Sequence, residues 1–316
     1  MEDYVDCSVS SVNCTETENV FEDRSVSMGN IFQCVVISVC MLVVLVGIGA
    51  VAILVVVRRR LQTVANFYIL NFALSCIINI LMTPLYVIIR VQWNFVLGWV
   101  LCFVTCTIGQ IGILTNSFFL MFLSIDCYIA TRQQHHSRNY RWKMLKVVTA
   151  LVWIASALFI VPIYYTTENS ESICVEGPIY HRNLMLKATS VFAVFFLPFI
   201  LMWIYVALSF PPESVRTTSS SADGEREPLD SSVIEYRRLL VALSVAFTVC
   251  QLPYWLYQVI SPLHTFINIY VIFLSFIHIN MAVNSILIIV YSRDIRRELS
   301  LCLPSRASRM LDLETL

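Results

Sequence analysis

Charged residues are scarce in this sequence. Only 13% of the 316 residues are Asp, Glu, Lys or Arg, whereas 58% are hydrophobic and the mean hydropathy is +0.75. A soluble domain carries about 25% charged and roughly 45–50% apolar residues. The composition therefore excludes an ordinary soluble domain and predicts a membrane protein. The formal net charge is zero, and we expect no nucleic-acid partner.

Groups that carry out chemistry inside a membrane are also missing. The cores of the long apolar runs contain no Lys, and Asp126 is the one acid well inside any of them. The sequence has no HExxH motif, no CxxC pair and no cluster of Cys and His at zinc spacing. Pumps and transporters normally place several charges within the bilayer. These absences disfavour transport, catalysis and binding of a metal or cofactor, and they favour a protein that carries a signal across the membrane.

Seven apolar runs are long enough to cross a bilayer, whose core takes about 20 residues of α-helix. The fold class is therefore predicted to be an all-α membrane protein, a seven-transmembrane-helix bundle over residues 31–291. An acidic tail precedes it at 1–30, and a further segment follows at 292–316. No secretory signal peptide is evident, so the first run is expected to act as its own insertion signal. The predicted spans are Ile31–Val57, Asn66–Ile89, Trp99–Ala130, Leu145–Tyr165, Leu184–Phe210, Leu239–Ile260 and Phe266–Tyr291.

Lys and Arg are concentrated beside one set of span ends, which by the positive-inside rule faces the cytoplasm. This predicts an N-terminus outside the cell, a cytoplasmic C-terminus and a multi-pass protein of the plasma membrane. Asn13 begins a glycosylation sequon in the outer tail. The basic residues on the inner side are Arg58–Arg60, Arg132, Arg138, Arg141, Lys143, Lys146, Arg237, Arg238, Arg293, Arg296 and Arg297.

Two inner segments have distinct compositions. Residues of about 211–233 are polar and rich in Ser and acids, which predicts a disordered loop. After the last span, SRDIRRELSLCL places Ile295 and Leu299 on one helical face and Arg296 and Arg297 on the other. This pattern predicts a short amphipathic helix in the membrane interface. Cys302 at its end is either palmitoylated or unmodified.

Several short motifs occur in a fixed order along the chain. They include LQTVANFYILNFALSC (61–76), the triplet DCY (126–128), FTVCQLPY (247–254) and NMAVNSILI (280–288). Their order and spacing resemble the rhodopsin-like (class A) G-protein-coupled receptors, from about Ile31 to Cys302. The resemblance implies a cell-surface receptor that couples to heterotrimeric G proteins. The sequence TVANFYILNFALS looks most like the chemoattractant, chemokine and peptide-receptor branch, which implies a peptide or chemokine-like ligand.

The resemblance also implies a disulfide between Cys102 and Cys174, the residues at the family's positions. The acidic start MEDYVD resembles the sulfated tails of chemokine receptors, but residues 261–270 contain no Cys for the second outer disulfide of that branch. Either Cys7 and Cys14 pair with each other or Cys34 takes part.

The polar switch positions of the family are substituted at nearly every point. Cys76 stands at the position of the family's sodium-binding Asp, and Asn116, Asn280, Met281 and Asn284 align with the other sodium-site positions. Neutral amides and a thiol lack the carboxylate that a bare cation prefers, so we expect no sodium site. Further along, Gln251 replaces the Trp of the sixth-helix motif while Pro253 remains, and NSILI replaces NPxxY with Ser285 for Pro. Gln251, Asn280 and Asn284 form a polar network or each bond to nearby backbone.

The central substitution is Cys127 for the Arg of the family's Asp-Arg-Tyr triplet, with Asp126 and Tyr128 retained. Without its neighbour, Asp126 is expected to pair with an Arg of the second inner loop (residues 132–142), such as Arg132 or Arg138, or to bind a proton. Loss of the resting pair leaves two alternatives. Either the receptor signals without ligand, or it does not couple and acts as a decoy or as a partner in heteromers. Such eroded switches also resemble receptors encoded by herpesviruses. Candidate G-protein contacts are Arg132, Arg138, Arg237, Arg238 and Arg293.

A ligand pocket is expected between the outer halves of the helices. Each candidate is a polar group on an apolar stretch, and each alone also fits a structural role. His278 is expected either to respond to pH or to stay buried and neutral. The candidate pocket residues are Gln110, Tyr254, Tyr257, Gln258 and His278.

Overall fold

The computed structural model describes residues 12–92, 98–132, 138–166, 191–210, 231–260 and 267–302. Within these ranges every regular element is helical, because a chain in a bilayer must satisfy its peptide groups through internal hydrogen bonds. The helices are α1 (Val12–Val57), a 3-10 turn (Arg59–Leu61), α2 (Val64–Gln92), α3 (Gly98–Arg132), α4 (Arg138–Thr166), α5 (Leu197–Leu208), α6 (Ser231–Ile260), α7 (Ile267–Tyr291) and α8 (Arg293–Cys302).

Six of these helices contain segments long and apolar enough to cross a membrane. The fifth predicted span is described only from residue 191, and there it forms the shorter apolar helix Phe192–Leu208. The predicted all-α bundle of seven spans followed by a short helix is confirmed. The six long segments are Ile31–Val57, Val64–Leu85, Phe103–Thr131, Asn139–Ile160, Ser232–Tyr257 and Ile272–Tyr291.

Three helices begin well before the predicted spans. One of them, α6, starts at Ser231 rather than near Leu239, so residues 231–233 of the segment predicted to be a disordered loop are helical. Helix α1 starts at Val12, within the segment predicted as an acidic tail, and α4 starts at Arg138 rather than near Leu145. Hydropathy locates only the part of a helix that lies in lipid. No Pro or Gly separates Arg138 from Leu145, so the helix continues into its basic flank. Arg138 and Arg141, which were placed in the second inner loop, and Lys143 beside it therefore lie on α4.

Prolines interrupt the helical hydrogen bonding at defined points. Pro84 lies inside α2 and Pro253 inside α6. Pro198 stands in the first turn of α5, directly after a wide π-helical turn at Phe192–Phe196. A proline cannot donate to the carbonyl one turn earlier, so each of these positions permits a local bend.

Small residues allow two pairs of helices to approach closely. A Cβ on Gly112 of α3 would lie 3.1 Å from the Ser75 carbonyl oxygen and 3.3 Å from Asn79 Cβ, both on α2. A Cβ on Gly47 of α1 would lie 3.2 Å from Ser285 Cβ on α7. Small residues at such crossings bring helix backbones together in membrane bundles.

Helix α8 packs against one end of the bundle, where it contacts α1 and α7. Ile295 is fully buried and Leu299 packs against the core, which confirms the predicted apolar face. On the other side of α8, Glu298 Oε2 lies 3.4 Å from Arg58 Nε at the end of α1. We call this end of the bundle, where α8 lies against α1 and α7 and where Arg293 of α8 contacts Glu235 of α6, the arginine-rich end. Its arginines include Arg58, Arg141, Arg237 and Arg293.

Candidate functional site

Asp126 lies near the end of α3 and is paired with Arg141 of α4. Arg141 Nε donates to Oδ1 at 2.9 Å, and Nη2 donates to Oδ2 at 2.6 Å. The side chain of Asp126 is 6% exposed and that of Arg141 is 24% exposed. Two hydrogen bonds of this kind, both between charged groups, are roughly twice as strong as hydrogen bonds between neutral groups. The acid that the sequence left without a partner is therefore neutralised by another helix.

This pairing confirms the expectation that Asp126 pairs with an Arg of residues 132–142, but the partner is Arg141 and neither of the two arginines named as examples, Arg132 and Arg138. The particular residue was not identified because residues 132–142 were treated as one loop. Arg141 lies on the first turn of α4, where the helix holds its guanidinium beside α3, and the next residue, Trp142, packs edge-on against Phe67 of α2 at 5.2 Å. The side chains of Arg132 and Arg138 lie outside the described residues.

Tyr236 of α6 brings a third helix to Asp126. Its hydroxyl lies 3.3 Å from Asp126 Oδ2 and 3.1 Å from the Leu123 carbonyl oxygen. A phenol has one proton to donate, so the two acceptors share it. Both acceptors belong to α3, and either donation ties α6 to α3.

Cys127 and Tyr128 occupy the rest of the triplet. Cys127 is fully buried, and hydroxyl groups of Thr131 and Ser209 lie beside its thiol. The Tyr128 ring packs against Tyr205 of α5 with centroids 5.7 Å apart. A buried thiol presents no charge at the surface, so this turn of α3 offers neither a lock for Asp126 nor a cation for a partner.

The candidate contact residues of α6 and α8 have partners within the protein. The Arg237 guanidinium lies 4.8 Å from the centre of the Phe210 ring at the end of α5. The Arg293 side chain lies 3.8 Å from Glu235 Oε2, and its backbone N–H donates to Glu235 Oε1. Arg238 is exposed. These side chains lie at one end of the bundle, as the sequence predicted.

A layer of uncharged polar residues crosses the middle of the bundle. Asn116 Nδ2 donates to Cys76 Sγ at 2.9 Å. Both side-chain polar atoms of Asn280 and Asn284, the Asn116 oxygen and the Gln251 oxygen are buried without a partner among the described residues. These side chains do not fit a bare sodium ion, because the layer supplies amides and a thiol and no carboxylate. Their unmet hydrogen bonds fit ordered water, which satisfies buried polar groups in most proteins.

Comparison with known proteins assigns the family. The model of the 7 transmembrane receptor (rhodopsin family) matches residues 47–287, well over half of the chain. The chain belongs to this family. The prediction from the sequence motifs is confirmed, and because the members are receptors, so is the expectation that this protein is not an enzyme.

Curated relatives lie in the chemokine and peptide branch of these receptors. Atypical chemokine receptor 3 of Rattus norvegicus is 28% identical over 237 residues, which is 69% of this chain and 62% of that protein. The Homo sapiens protein of the same name shows the same identity and coverage. Somatostatin receptor type 4 of Rattus norvegicus is 26% identical over 300 residues, 91% of this chain and 77% of that receptor. The receptor thus matches about three fifths of the length of the atypical chemokine receptors.

The candidate pocket residues of this receptor have varied surroundings. Tyr254 is buried against Trp255 with ring centroids 5.3 Å apart, and Tyr257 contacts Phe273 at 5.5 Å. His278 Nε2 lies 3.1 Å from the Thr83 hydroxyl, and Nδ1 lies 3.2 Å from the Leu274 carbonyl. In a neutral imidazole whose Nδ1 donates to Leu274, Nε2 accepts from Thr83, and the single Thr83 hydroxyl proton is shared with the Asn79 carbonyl oxygen at 2.8 Å. Gln110 is partly exposed. The side chains of Gln258, Cys102 and Cys174 lie outside the described residues.

The sequence reasoning missed an aromatic cluster in the receptor core. Phe195 stacks on Trp255 at 5.5 Å, on Phe247 at 5.7 Å and on Phe199 at 5.4 Å. Trp255 lies one helical turn after Gln251, on the same side of α6. The signal was present in the sequence, because a Trp four residues beyond the substituted position returns an indole to the same helix face.

Proposed function

We propose that this receptor couples to heterotrimeric G proteins through the arginine-rich end, which faces the cytoplasm of the host cell, with the N-terminus outside. The support is the distribution of charge. Exposed basic residues at this end include Arg59 and Arg60 after α1, Lys143 on α4, Arg238 on α6 and Arg297 on α8. The positive-inside rule assigns such an end to the cytoplasm. The same charges suit an acidic surface on an effector.

The observation that carries this proposal is the substitution of the switch on α3. Arg141 neutralises Asp126 from another helix, and Cys127 is fully buried. In the family resemblance, the Arg next to this acid holds the resting state. Without it, a change of a few kcal/mol in the balance of two states decides which is populated. We therefore propose signalling without ligand.

An extracellular ligand, where one acts, is proposed to be a peptide or a chemokine-like protein. Relatives named chemokine and somatostatin receptors support this class. The pocket is proposed to lie between α3, α6 and α7 and to include Gln110, Tyr254, Tyr257, Gln258 and His278. The acid-rich N-terminal residues then recognise basic groups of the ligand, and Asn13 carries a glycan.

A second candidate function is a decoy that binds and internalises ligand, or a partner in receptor heteromers. The buried Cys127 favours it, because this position presents no cation to an effector. Relatives named atypical chemokine receptor 3 also support it. Both candidate functions place the protein in the lipid bilayer, and neither requires a cofactor.

The deciding experiment is nucleotide exchange on each class of G protein without added ligand. Wild type is compared with Cys127→Arg and with cells that lack the receptor, at matched surface expression. We expect exchange above the receptor-free level in at least one class. If every class stays at that level while surface receptor is internalised, the decoy function replaces the proposal.

A further inference from the structure

Helix α4 carries positive charges that no acid of its own balances. Its residues Arg138–Thr166 include four basic side chains and no Asp or Glu. Arg141 is taken up by Asp126. Lys143 and Lys146 are exposed, and no ion pair among the described residues includes either of them. The helix therefore presents two ammonium groups, about one turn apart, to whatever lies outside the bundle.

These lysines lie where α4 enters the membrane. The apolar segment of the helix is Asn139–Ile160, so both lysines stand in its first two or three turns. Lys143 lies on the same helix face as Val147, Ile154 and Leu158, all of which are exposed large apolar side chains. This outer stripe is charged at its inner end and apolar along the rest. A phospholipid has the same order of parts, with a polar headgroup followed by acyl chains.

The other flank of the lysines is formed by aromatic side chains held in fixed positions. Trp142, Lys146 and Trp153 lie on one face of α4, which is turned toward α2. Trp142 packs edge-on against Phe67 at 5.2 Å, and Trp153 Nε1 donates to Asn71 Oδ1 at 3.3 Å. Asn71 Nδ2 in turn donates to the Phe67 carbonyl oxygen at 2.9 Å. The two indoles on either side of Lys146 are therefore oriented by α2.

These aromatic side chains are only partly covered by the protein. Phe67, Trp142 and Trp153 are each of intermediate exposure, and Leu74, on the next turns of α2, is exposed. Phe119 of α3 contacts Trp153 from beneath, with ring centroids 6.2 Å apart. The surface is thus a groove between α2 and α4 with α3 as its floor. We call Phe67, Asn71, Trp142, Lys143, Lys146 and Trp153 the lysine–tryptophan groove.

We propose that the lysine–tryptophan groove binds one anionic glycerophospholipid. The ammonium groups of Lys143 and Lys146 bind the charged headgroup, and an acyl chain lies along Trp153 and Leu74. A zwitterionic lipid fits less well, because its own cation already balances its phosphate. The inference goes beyond coupling and needs only the proposed orientation, since the cytoplasmic leaflet carries the anionic lipids. The bound lipid supports the turn of α4 that also carries Arg141.

The test measures lipid binding to the full-length receptor by native mass spectrometry. The receptor in detergent is titrated with phosphatidylserine and, separately, with phosphatidylcholine of the same acyl chains. Wild type is compared with the double variant Lys143→Gln, Lys146→Gln. A Lys near an anionic lipid contributes about fivefold to affinity. We therefore expect the double variant to bind phosphatidylserine about 25-fold more weakly and to bind phosphatidylcholine as the wild type does.

The matched control is the double variant Arg59→Gln, Arg60→Gln. It removes the same number of positive charges from exposed positions at the same end of the bundle. It should keep the wild-type affinity for phosphatidylserine, and so should Lys143→Arg, Lys146→Arg, which retains both charges. An equal loss in the Arg59 and Arg60 variant would show attraction to total charge and would overturn the groove, as would equal binding of both lipids to the wild type.

A second measurement locates the lipid in a bilayer. The receptor in nanodiscs of phosphatidylcholine receives a small fraction of phosphatidylserine with a photoactivatable diazirine on one acyl chain. We expect crosslinks on α2 and α4 beside Leu74 and Trp153, and their loss in the Lys143 and Lys146 glutamine variant. Crosslinks confined to other helices, or unchanged in that variant, contradict the proposal. If the variant yields no monodisperse protein, the crosslinks of the wild type decide.

Neither measurement contains a G protein or depends on which side of the membrane the groove faces. A negative result therefore leaves the proposed coupling standing. Absence of nucleotide exchange, in the same way, leaves the lipid site standing.

Discussion

Substituting one or the other member of the Asp126–Arg141 pair should lower the free energy of unfolding by different amounts. The Asp126 side chain is 6% exposed, whereas that of Arg141 is 24% exposed at the end of a helix. Arg141→Gln leaves a buried carboxylate without its partner, and breaking a buried pair in this way costs about 3–5 kcal/mol. Asp126→Asn leaves an arginine whose long side chain can extend toward water. We expect Asp126→Asn to lower the free energy of unfolding by about 1.5 kcal/mol, the lower value for the loss of a hydrogen bond to a charged group.

The double variant completes the cycle. Once residue 126 is Asn, Arg141→Gln no longer strands a charge, so the double variant should be more stable than Arg141→Gln alone. The coupling between the two sites should be about 2–3 kcal/mol, toward the upper end for residues in direct contact.

The assay is reversible unfolding of purified receptor in mixed micelles, followed by tryptophan fluorescence. The exposed pair Arg58 and Glu298 serves as a matched control, because the side chain of Arg58 is 48% exposed. Its cycle should give a coupling of less than about 1 kcal/mol, as for surface ion pairs. If Arg141→Gln costs no more than Asp126→Asn and the two effects add, the carboxylate is not held in the way described.

Three further predictions follow from packing, ion binding and the disulfide. Gly112→Ala should destabilise the bundle by about 1–3 kcal/mol in the same assay, because its Cβ would meet the α2 backbone at Ser75. Sodium should leave agonist affinity unchanged at constant ionic strength, because the central polar layer has no carboxylate for it. Cys102→Ser and Cys174→Ser should each abolish surface expression or ligand binding, because the disulfide that the family resemblance implies would limit the freedom of the outer loop.

Each of these three predictions has a result that would contradict it. Gly49→Ala is the matched control for packing, because a Cβ on Gly49 meets nothing within 4 Å. Equal losses at Gly112 and Gly49 would show that the close crossing is not the cause. A sodium-dependent shift in agonist affinity would show that the receptor has a sodium site. Normal surface expression and binding in both serine variants would exclude the disulfide.

The spans could be predicted from the sequence because each depends on local composition. The segment of α1 that is apolar enough to cross a membrane ends at Val57, as predicted. Helix ends were harder, as Arg138 shows, because charged residues at the membrane interface are as compatible with a helix as with a loop. Hydropathy reports where a residue lies relative to lipid and contains no signal for where the backbone stops being helical.

The isolated acid could also be predicted, but its partner could not. Asp126 was conspicuous because no base stood beside it in the sequence. Arg141 is a neighbour only through the crossing of α3 and α4, and Tyr236 only through the crossing of α3 and α6. The residues 235–237 did contain a usable signal, since an acid, a phenol and a base in a row at the edge of an apolar run each seek a different kind of partner.

Under the proposed function, the substitution of Cys127 moves the contacts of the switch from within α3 to other helices. An Arg next to Asp126 would pair with it within α3, and the carboxylate would then need no partner from another helix. With Cys127 buried, the same carboxylate is bound by Arg141 from α4 and by Tyr236 from α6. Any movement of α6 away from α3 must then break the Tyr236 contact, whereas Arg141 continues to neutralise the acid. The charge stays compensated in both positions, so the cost of opening is confined to the contacts of α6 itself.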